Sequence, residues 1–394
     1  MSEPATGTAR ESAPPAASGS PGEVFAAFLR LGVTSFGGPI AHLGYFRAEF
    51  VARRGWLDDR AFSDLVALCQ FLPGPASSQT GFALGLLRAG YAGALAAWVG
   101  FTLPSAVLLV LFAYGAGHIE ASPLGQGLLH GLKLVAVAVV AQAVWGMART
   151  LCPDRPRAAI GTLAAVLLLL VPGPAAQIGA IAAGGVAGLF IGGKGADPGQ
   201  PIALGVGRGV GVACLALYAA LLVLPLPPLA GAIYRAGALV FGGGHVVLPL
   251  LRDAVVTPGY VAQGAFLAGY GAAQAVPGPL FTFAAYLGAV AGGLPGAVVA
   301  LVAIFLPGML VLLGTLPFWA VLRGHPRAQA AMRGINAAVV GLLGAALYAP
   351  VWTSAVARPA DVAVALAGFV LLTVWRVPPL AVVALGAACG LAGG

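Results

Sequence analysis

Two homologous halves of an all-α, polytopic membrane protein are what this sequence predicts, and three observations carry the prediction. The 394 residues are 60% apolar and only 8% charged, against roughly 45–50% and 25% in soluble chains. Twelve acids and twenty bases cannot solvate the surface of a globule this long. The apolar stretches are long and continuous with no period-two alternation, which excludes an outer-membrane barrel; at roughly 28 residues per span and loop they give about 13 membrane segments. Finally, the same motifs occur twice at a nearly constant offset.

Residues 1–22, rich in Ser, Pro, Ala, Gly and Glu and without an apolar core, read as a disordered tail and not as a cleaved signal. Apolar segments follow at 24–46, 61–88, 91–117, 126–149, 157–172 and 174–193. A polar gap from Gly192 to Gly209, with Lys194, Asp197 and Arg208, leads to an extra span at 209–226. The second set lies at 229–251, 262–290, 294–319, 334–352, 360–375 and 377–393. The chain thus divides into a tail (1–22), a first repeat (23–193), a linker with one span (194–228) and a second repeat (229–394).

Phe36-Gly37-Gly38 recurs as Phe241-Gly242-Gly243 at an offset of 205, and Gln70 with Pro73-Gly74-Pro75 recurs as Gln274 with Pro277-Gly278-Pro279 at 204. Pro104, Gly131 and Pro156 match Pro307, Gly334 and Pro359 at 203. Six segments per half plus one linking span place the halves in opposite orientations, and the parity is unchanged if the first two segments of each half are re-entrant. Loop charges agree: the loop at His118 and Glu120 has no Arg or Lys, whereas its counterpart carries Arg323, Arg327 and Arg333.

Several function classes drop out. The basic residues are scattered in ones to threes, so nucleic acid is not an expected partner. Cys69, Cys152, Cys214 and Cys389 lie far apart without CxxC spacing, which implies neither a disulfide framework nor a zinc site, and no cofactor is expected. No HExxH, GxSxG or P-loop occurs, and no carboxylate pair lies at helical spacing inside an apolar segment, so the chain does not read as an enzyme.

What recurs is helix-breaking sequence inside apolar segments. Such breaks free backbone groups that hydrocarbon cannot satisfy, so they belong inside protein or against a watery cavity, and N–H groups converging there suit an anion. The backbone candidates are Gly37, Gly38, Gly74, Gly242, Gly243 and Gly278. Arg30 and Arg235 each precede the Phe of a Phe-Gly-Gly break by six residues, and a guanidinium fork there would hold two oxygens of an oxyanion; the bland alternative is an arginine that snorkels. The first Pro-Gly-Pro continues into Ser77, Ser78, Gln79 and Thr80, the second into Leu280, Phe281, Thr282 and Phe283, which weights binding toward the first half. Those hydroxyls, like Gln70 and Gln274, equally suit the satisfaction of broken backbone. Asp64, His42 and His245 are candidates for proton coupling, each with a structural alternative, and Lys133 aligns with Asn336 as a recurring polar position.

The run Leu31 to Phe46, with Thr-Ser-Phe-Gly-Gly-Pro and Ala-His-Leu-Gly-Tyr-Phe, followed by Cys69 to Pro75 and Phe241 to Pro249, resembles the chromate ion transporter family in its long, two-domain form, over nearly the whole chain from residue 24. The resemblance implies a proton-linked exporter of chromate in the bacterial inner membrane that confers chromate resistance, with sulfate as the substrate analogue. Its motifs fall on Phe36 to Pro39, Gln70, Pro73 to Pro75 and Phe241 to His245; Gly244 replaces the proline after the second Gly pair. A sulfate importer, which would work against the membrane potential, and a membrane enzyme acting on lipid are the rival readings, and homo-oligomerisation stays open.

Overall fold

The structure is a computed structural model that describes residues 19–36, 38–120, 122–171, 173–191, 204–241, 244–323 and 325–393. The N-terminal tail up to residue 18, the polar gap with Lys194 and Asp197, and the glycines Gly37, Gly242 and Gly243 lie outside them. The described residues are helical and contain no strand. The first half comprises α1 (Pro21–Thr34), α2 (Gly38–Phe46), a π-helical turn (Arg47–Arg53), α3 (Asp59–Phe71), α4 (Ala76–Glu120), α5 (Pro123–Leu151), α6 (Arg155–Leu170) and α7 (Pro174–Gly188). A linking helix, α8 (Arg208–Val223), leads to α9 (Pro228–Ala238), α10 (Val247–Val255), α11 (Gln263–Ala273), α12 (Phe283–Thr315), α13 (Trp319–Arg323), α14 (Pro326–Ala346), α15 (Thr353–Ala355), α16 (Pro359–Thr373) and α17 (Pro379–Gly393). Helix starts follow local chemistry: Ser20, Asp58, Ser122 and Asp154 each cap a first turn through the side chain.

Four helical stretches are long and apolar enough to cross a membrane: Ala76–Gly115, Pro123–Leu151, Leu280–Phe318 and Pro326–Ala355. Two of them are not straight rods. Ala89 and Gly90 leave helical geometry, with Gly90 at φ +64°, and Gly292 and Gly293 do the same, with Gly293 at φ +64°. A Cβ on Gly85 would overlap the carbonyl of Gly93, and one on Gly288 the carbonyl of Gly296. Residues eight apart on a continuous helix are about 12 Å apart along its axis, so this contact means that the chain doubles back. The same hairpin therefore occurs in both halves at an offset of 203, with a short first arm (76–88) of roughly 20 Å, less than a bilayer core.

The halves are interwoven. Helices α6 and α7 of the first half pack on α14 of the second, while α16 and α17 of the second pack on α5 of the first. Glycine permits both approaches: Gly334 lies against the Gly184 carbonyl and Gly131 against that of Gly386. Positions 131 and 334 correspond, so each half lends its last two helices to the other by the same contact. The outer faces carry exposed apolar side chains, among them Leu111, Leu163, Leu170, Phe190, Leu217, Val298 and Leu366. A surface so apolar on several helices is suited to lipid, and the chain is an integral membrane protein.

Candidate oxyanion site where the halves cross

Each half breaks its chain twice near the centre. α1 ends at Thr34, Ser35 is extended and Gly38 opens α2 at φ +78°. α3 ends at Phe71, and Pro73-Gly74-Pro75 turns the chain with Gly74 at φ +123°. In the second half, Pro277-Gly278-Pro279 has Gly278 at φ +98° and leads through a 3-10 turn (Leu280–Thr282) into α12. Such φ values are open to glycine and strained for other residues, which accounts for glycine between the prolines.

The breaks are joined reciprocally across the halves. The Gly74 N–H donates to the carbonyl of Val240 at 2.7 Å, and the Gly278 N–H donates to that of Ser35 at 2.9 Å. Ser35 and Val240 are equivalent residues, each just before a Phe-Gly-Gly. Gly74 also abuts Gly308, which follows Pro307, and Gly278 abuts Ser105, which follows Pro104; an added Cβ would lie 2.9 Å from the Gly308 Cα in one case and from the Ser105 Oγ in the other. Finally, Gly244 lies against Pro39. These two are also equivalent, and contact between equivalent positions marks the axis of a two-fold relation. The described parts of the Phe-Gly-Gly and Pro-Gly-Pro breaks of both halves therefore gather around one pseudo-two-fold axis.

Geometry is shared between the halves there, but chemistry is not. Ser35 corresponds to Val240, His42 to Val247, Thr102 to Phe305 and Ser105 to Gly308. Ser35, His42, Ser77, Ser78, Gln79, Thr80, Thr102 and Ser105 are all buried. Within the protein no partner reaches the Ser35, Ser78 or Thr102 hydroxyls or the Gln79 Oε1. The His42 ring packs edge-on to Phe101, 5.1 Å between centroids, near the Ser35 backbone. Gln79 Nε2 does have partners: it donates to the carbonyls of Pro73 at 3.0 Å and Gly308 at 2.9 Å and so braces the crossing. Thr282, in the second half, is satisfied by the Pro279 carbonyl at 2.7 Å. Buried polar groups without partners each cost about 1–3 kcal/mol, so three such hydroxyls in the first half call for a ligand.

The predicted site residues separate. Gly38, Gly74, Gly278, His42, Ser77, Ser78 and Gln79 belong to the buried first-half motifs and to the turns that join the halves. His245 lies at the second Phe-Gly-Gly, its Nδ1 2.7 Å from the hydroxyl of the fully buried Tyr270. Gln274 is half-buried with Nε2 unpartnered, Asp64 is half-buried on α3, and Gln70 is exposed. Arg30 and Arg235, the guanidinium forks expected at the anion, are not buried with the first-half polar groups. Arg30 is exposed, whereas its neighbours Phe28, Leu31 and Gly32 form the face of α1 that packs on α4. Arg235 is exposed too, its guanidinium folded toward Gly231 one turn back. Among the described residues no arginine or lysine is buried, because an unpaired cation is costlier there than a hydroxyl. Lys133 directs its ammonium to Gly264 on α11. Sequence reasoning missed Ser35, Thr102, Ser105 and Tyr270; the available signal was Pro104, a mid-helix proline recurring as Pro307, since freed backbone there needs a neighbour.

Comparison with known proteins agrees with this architecture of two matching halves. The protein named "Chromate transport protein" from Pseudomonas aeruginosa is 30% identical over 402 residues, covering 99% of this chain and 95% of its own. A protein of the same name from Cupriavidus metallidurans is 28% identical over 330 residues, 81% of this chain and 80% of its own. The "Probable chromate transport protein" of Synechococcus elongatus is 25% identical over 344 residues, 81% and 82% of the two chains. No solved structure matches. The family model described as chromate transporter matches twice, at residues 22–189 and 227–391, and with the breaks of both matched regions meeting on one axis, the chain belongs to the chromate transporter family.

Proposed function

We propose that this protein is a secondary transporter that carries chromate out of the cytoplasm across the bacterial inner membrane, and that the anion is held at the crossing of the halves by uncharged donors. The observation that carries the reading is the set of buried hydroxyls without a partner in the protein, Ser35, Ser78 and Thr102, all of them among the described residues of the first half. A tetrahedral dianion accepts many hydrogen bonds, and neutral donors with the N-terminal turns of α2 and of the first α4 arm can replace its hydration without an opposing charge that would hold it too tightly to release. Ser35, Ser78, Thr102 and His42 supply side-chain donors, and the backbone at Gly38, Gly74 and Gly278 supplies N–H groups. Arg30 and Arg235 stay outside the cradle.

The reciprocal contacts, the segment parity and the uneven loop charges together support inverted halves, and hence alternating exposure of the axis to the two faces. Export needs little further driving force, because a dianion leaving a negative interior gains about 4.6 kcal/mol per 100 mV. Proton entry in exchange adds to it. The test is uptake of radiolabelled chromate into everted vesicles, with sulfate as competitor and with the pH gradient and the potential collapsed in turn. Saturable uptake that depends on the potential is expected. Transport of sulfate alone, or only in right-side-out vesicles, would overturn the reading in favour of an importer.

A further inference from the structure

A second polar constellation lies away from the axis, where the halves exchange helices. His130, on α5 of the first half, meets Asp361, in the first turn of α16 from the second, with Nε2 3.0 Å from Oδ1. Asp361 is 2% exposed, and its other oxygen accepts the N–H groups of Ala357 at 3.0 Å and Arg358 at 2.9 Å. The opposite exchange places a base at the equivalent position without such a bond. The residue equivalent to His130 is Arg333 on α14, and its charge acts on Asp154, the cap of α6. Among the described residues, only the α16 exchange thus bonds an acid to a base of the other half; Asp154 is held by Arg157 of its own helix. One base is always charged, while the other is the side chain that changes charge between about pH 5 and 8.

We propose that His130 and Asp361 form a proton-binding site that fastens the halves together at one face of the membrane, while the opposite exchange, with Arg333 at the equivalent place, has no base that changes charge there. The proposal rests on the transport reading above and names its coupled ion. With a proton on His130 the contact is an ion pair as well as a hydrogen bond; without it the neutral imidazole keeps only a hydrogen bond to the carboxylate, the charge–charge attraction is lost, and that end of the α5–α16 contact loosens. Arg358 faces the same carboxylate at 3.5 Å and keeps Asp361 compensated in either state. Lys133 points to Gly264, α17 carries no charged side chain, and the side chains of His118 and Glu120 at the end of α4 lie outside the described ones. With inverted halves, His130 lies at the face whose loop lacks Arg and Lys, the extracytoplasmic one, where protons arrive in exchange for exported anion.

The test uses spin labels at two exposed positions, Leu124→Cys on α5 and Val362→Cys on α16, in the full chain with its four native cysteines changed to alanine. Distance distributions are recorded in lipid from pH 5.5 to 8 without chromate. The wild-type pair is expected to lose roughly tenfold in its ratio of close to distant population as the pH rises. His130→Arg should hold the acid distribution throughout and His130→Gln the alkaline one; Asp361→Asn should abolish the response and serves if a His130 variant is poorly folded. A pH-independent wild-type distribution, or His130→Arg following the wild type, overturns the proposal. Chromate uptake is measured in parallel on the unlabelled chain. Its absence beside an intact distance response overturns the transport reading alone, and uptake without a distance response overturns the proton site alone.

Discussion

Removing a buried hydroxyl ordinarily weakens a protein; here the sign of the effect separates binding from structure. Ser78 is 5% exposed and Thr102 2% exposed, and neither hydroxyl has a partner in the protein. Holding such a group away from water costs about 1–3 kcal/mol, so Ser78→Ala and Thr102→Val, which delete it at nearly constant shape, should leave the protein as stable as before or up to about 1 kcal/mol more stable. If the hydroxyl donates to a bound dianion, the same change removes a charge-assisted bond worth about 1.5–3 kcal/mol, and half-saturation for chromate should rise about 10- to 100-fold. Thr282→Val is the control. Its hydroxyl already donates to Pro279, so this variant should lose about 1 kcal/mol of stability and keep its chromate affinity. The assays are thermal unfolding of purified protein and chromate uptake by vesicles, normalised to protein in the membrane. Destabilised Ser78 and Thr102 variants with wild-type half-saturation would refute the reasoning and make those hydroxyls structural.

Lysine in place of Arg30 or Arg235 should transport chromate nearly as well as the wild type, because both arginines are exposed and lysine snorkels with equal ease; a large loss in vesicle uptake would restore them to the site. Single cysteines near Glu120 and Arg327, in a background without native cysteines, should label from opposite faces of the membrane, and labelling from the same face would remove the inverted arrangement. Gly85→Leu should unfold the hairpin or prevent its accumulation, since the Gly93 backbone occupies the space a side chain needs, whereas Gly90→Ala, with nothing near it, should cost about 1–3 kcal/mol in a thermal melt, because φ +64° with ψ −158° is a backbone conformation essentially reserved for glycine. In the polar turn after α2, hydrogen bonds from Arg53 and then Arg54 outweigh partial burial and hold the Glu49 carboxyl at about 2, against 4.5 ordinarily. A carboxyl depressed by folding stabilises fully above its unfolded value, so this contribution should fade as pH drops from about 4.5 toward 2. It is on the order of 2 kcal/mol after allowance for solvent around the half-exposed Arg53, and Glu49→Gln should flatten that part of the acid-stability curve.

Much of the molecule was legible in its residues for one physical reason: the bilayer leaves little choice. A chain this apolar must satisfy its backbone internally, so helices follow from composition, and proline or glycine inside an apolar run must mark a break that protein covers. The offsets of 203 to 205 then gave the duplication and aligned the motifs that meet at the axis. The polar stretch at Ser77 to Gln79 signalled the asymmetry. Ser35 and Thr102 escaped notice because a lone hydroxyl in a helical segment normally bonds its own backbone, and nothing local distinguishes one that does not. His130 and Asp361 escaped for a similar reason: 231 residues separate them, and each looks like a helix-end residue until the other is seen.

Local sequence by itself therefore determined where the chain is helical, where it breaks and that it does so twice, since these depend on side-chain hydropathy and on the φ preferences of proline and glycine. Only the tertiary structure decided which breaks meet. Gly74 could have bonded within its own half; it bonds to Val240 because the two halves exchange partners about an axis through Pro39 and Gly244. The fate of the arginines was likewise settled by packing. Their spacing from the Phe-Gly-Gly breaks is identical in both halves, but α1 buries the side away from Arg30, the exposed Arg235 guanidinium lies over Gly231 of its own helix, and a guanidinium with no carboxylate to meet is more stable outside.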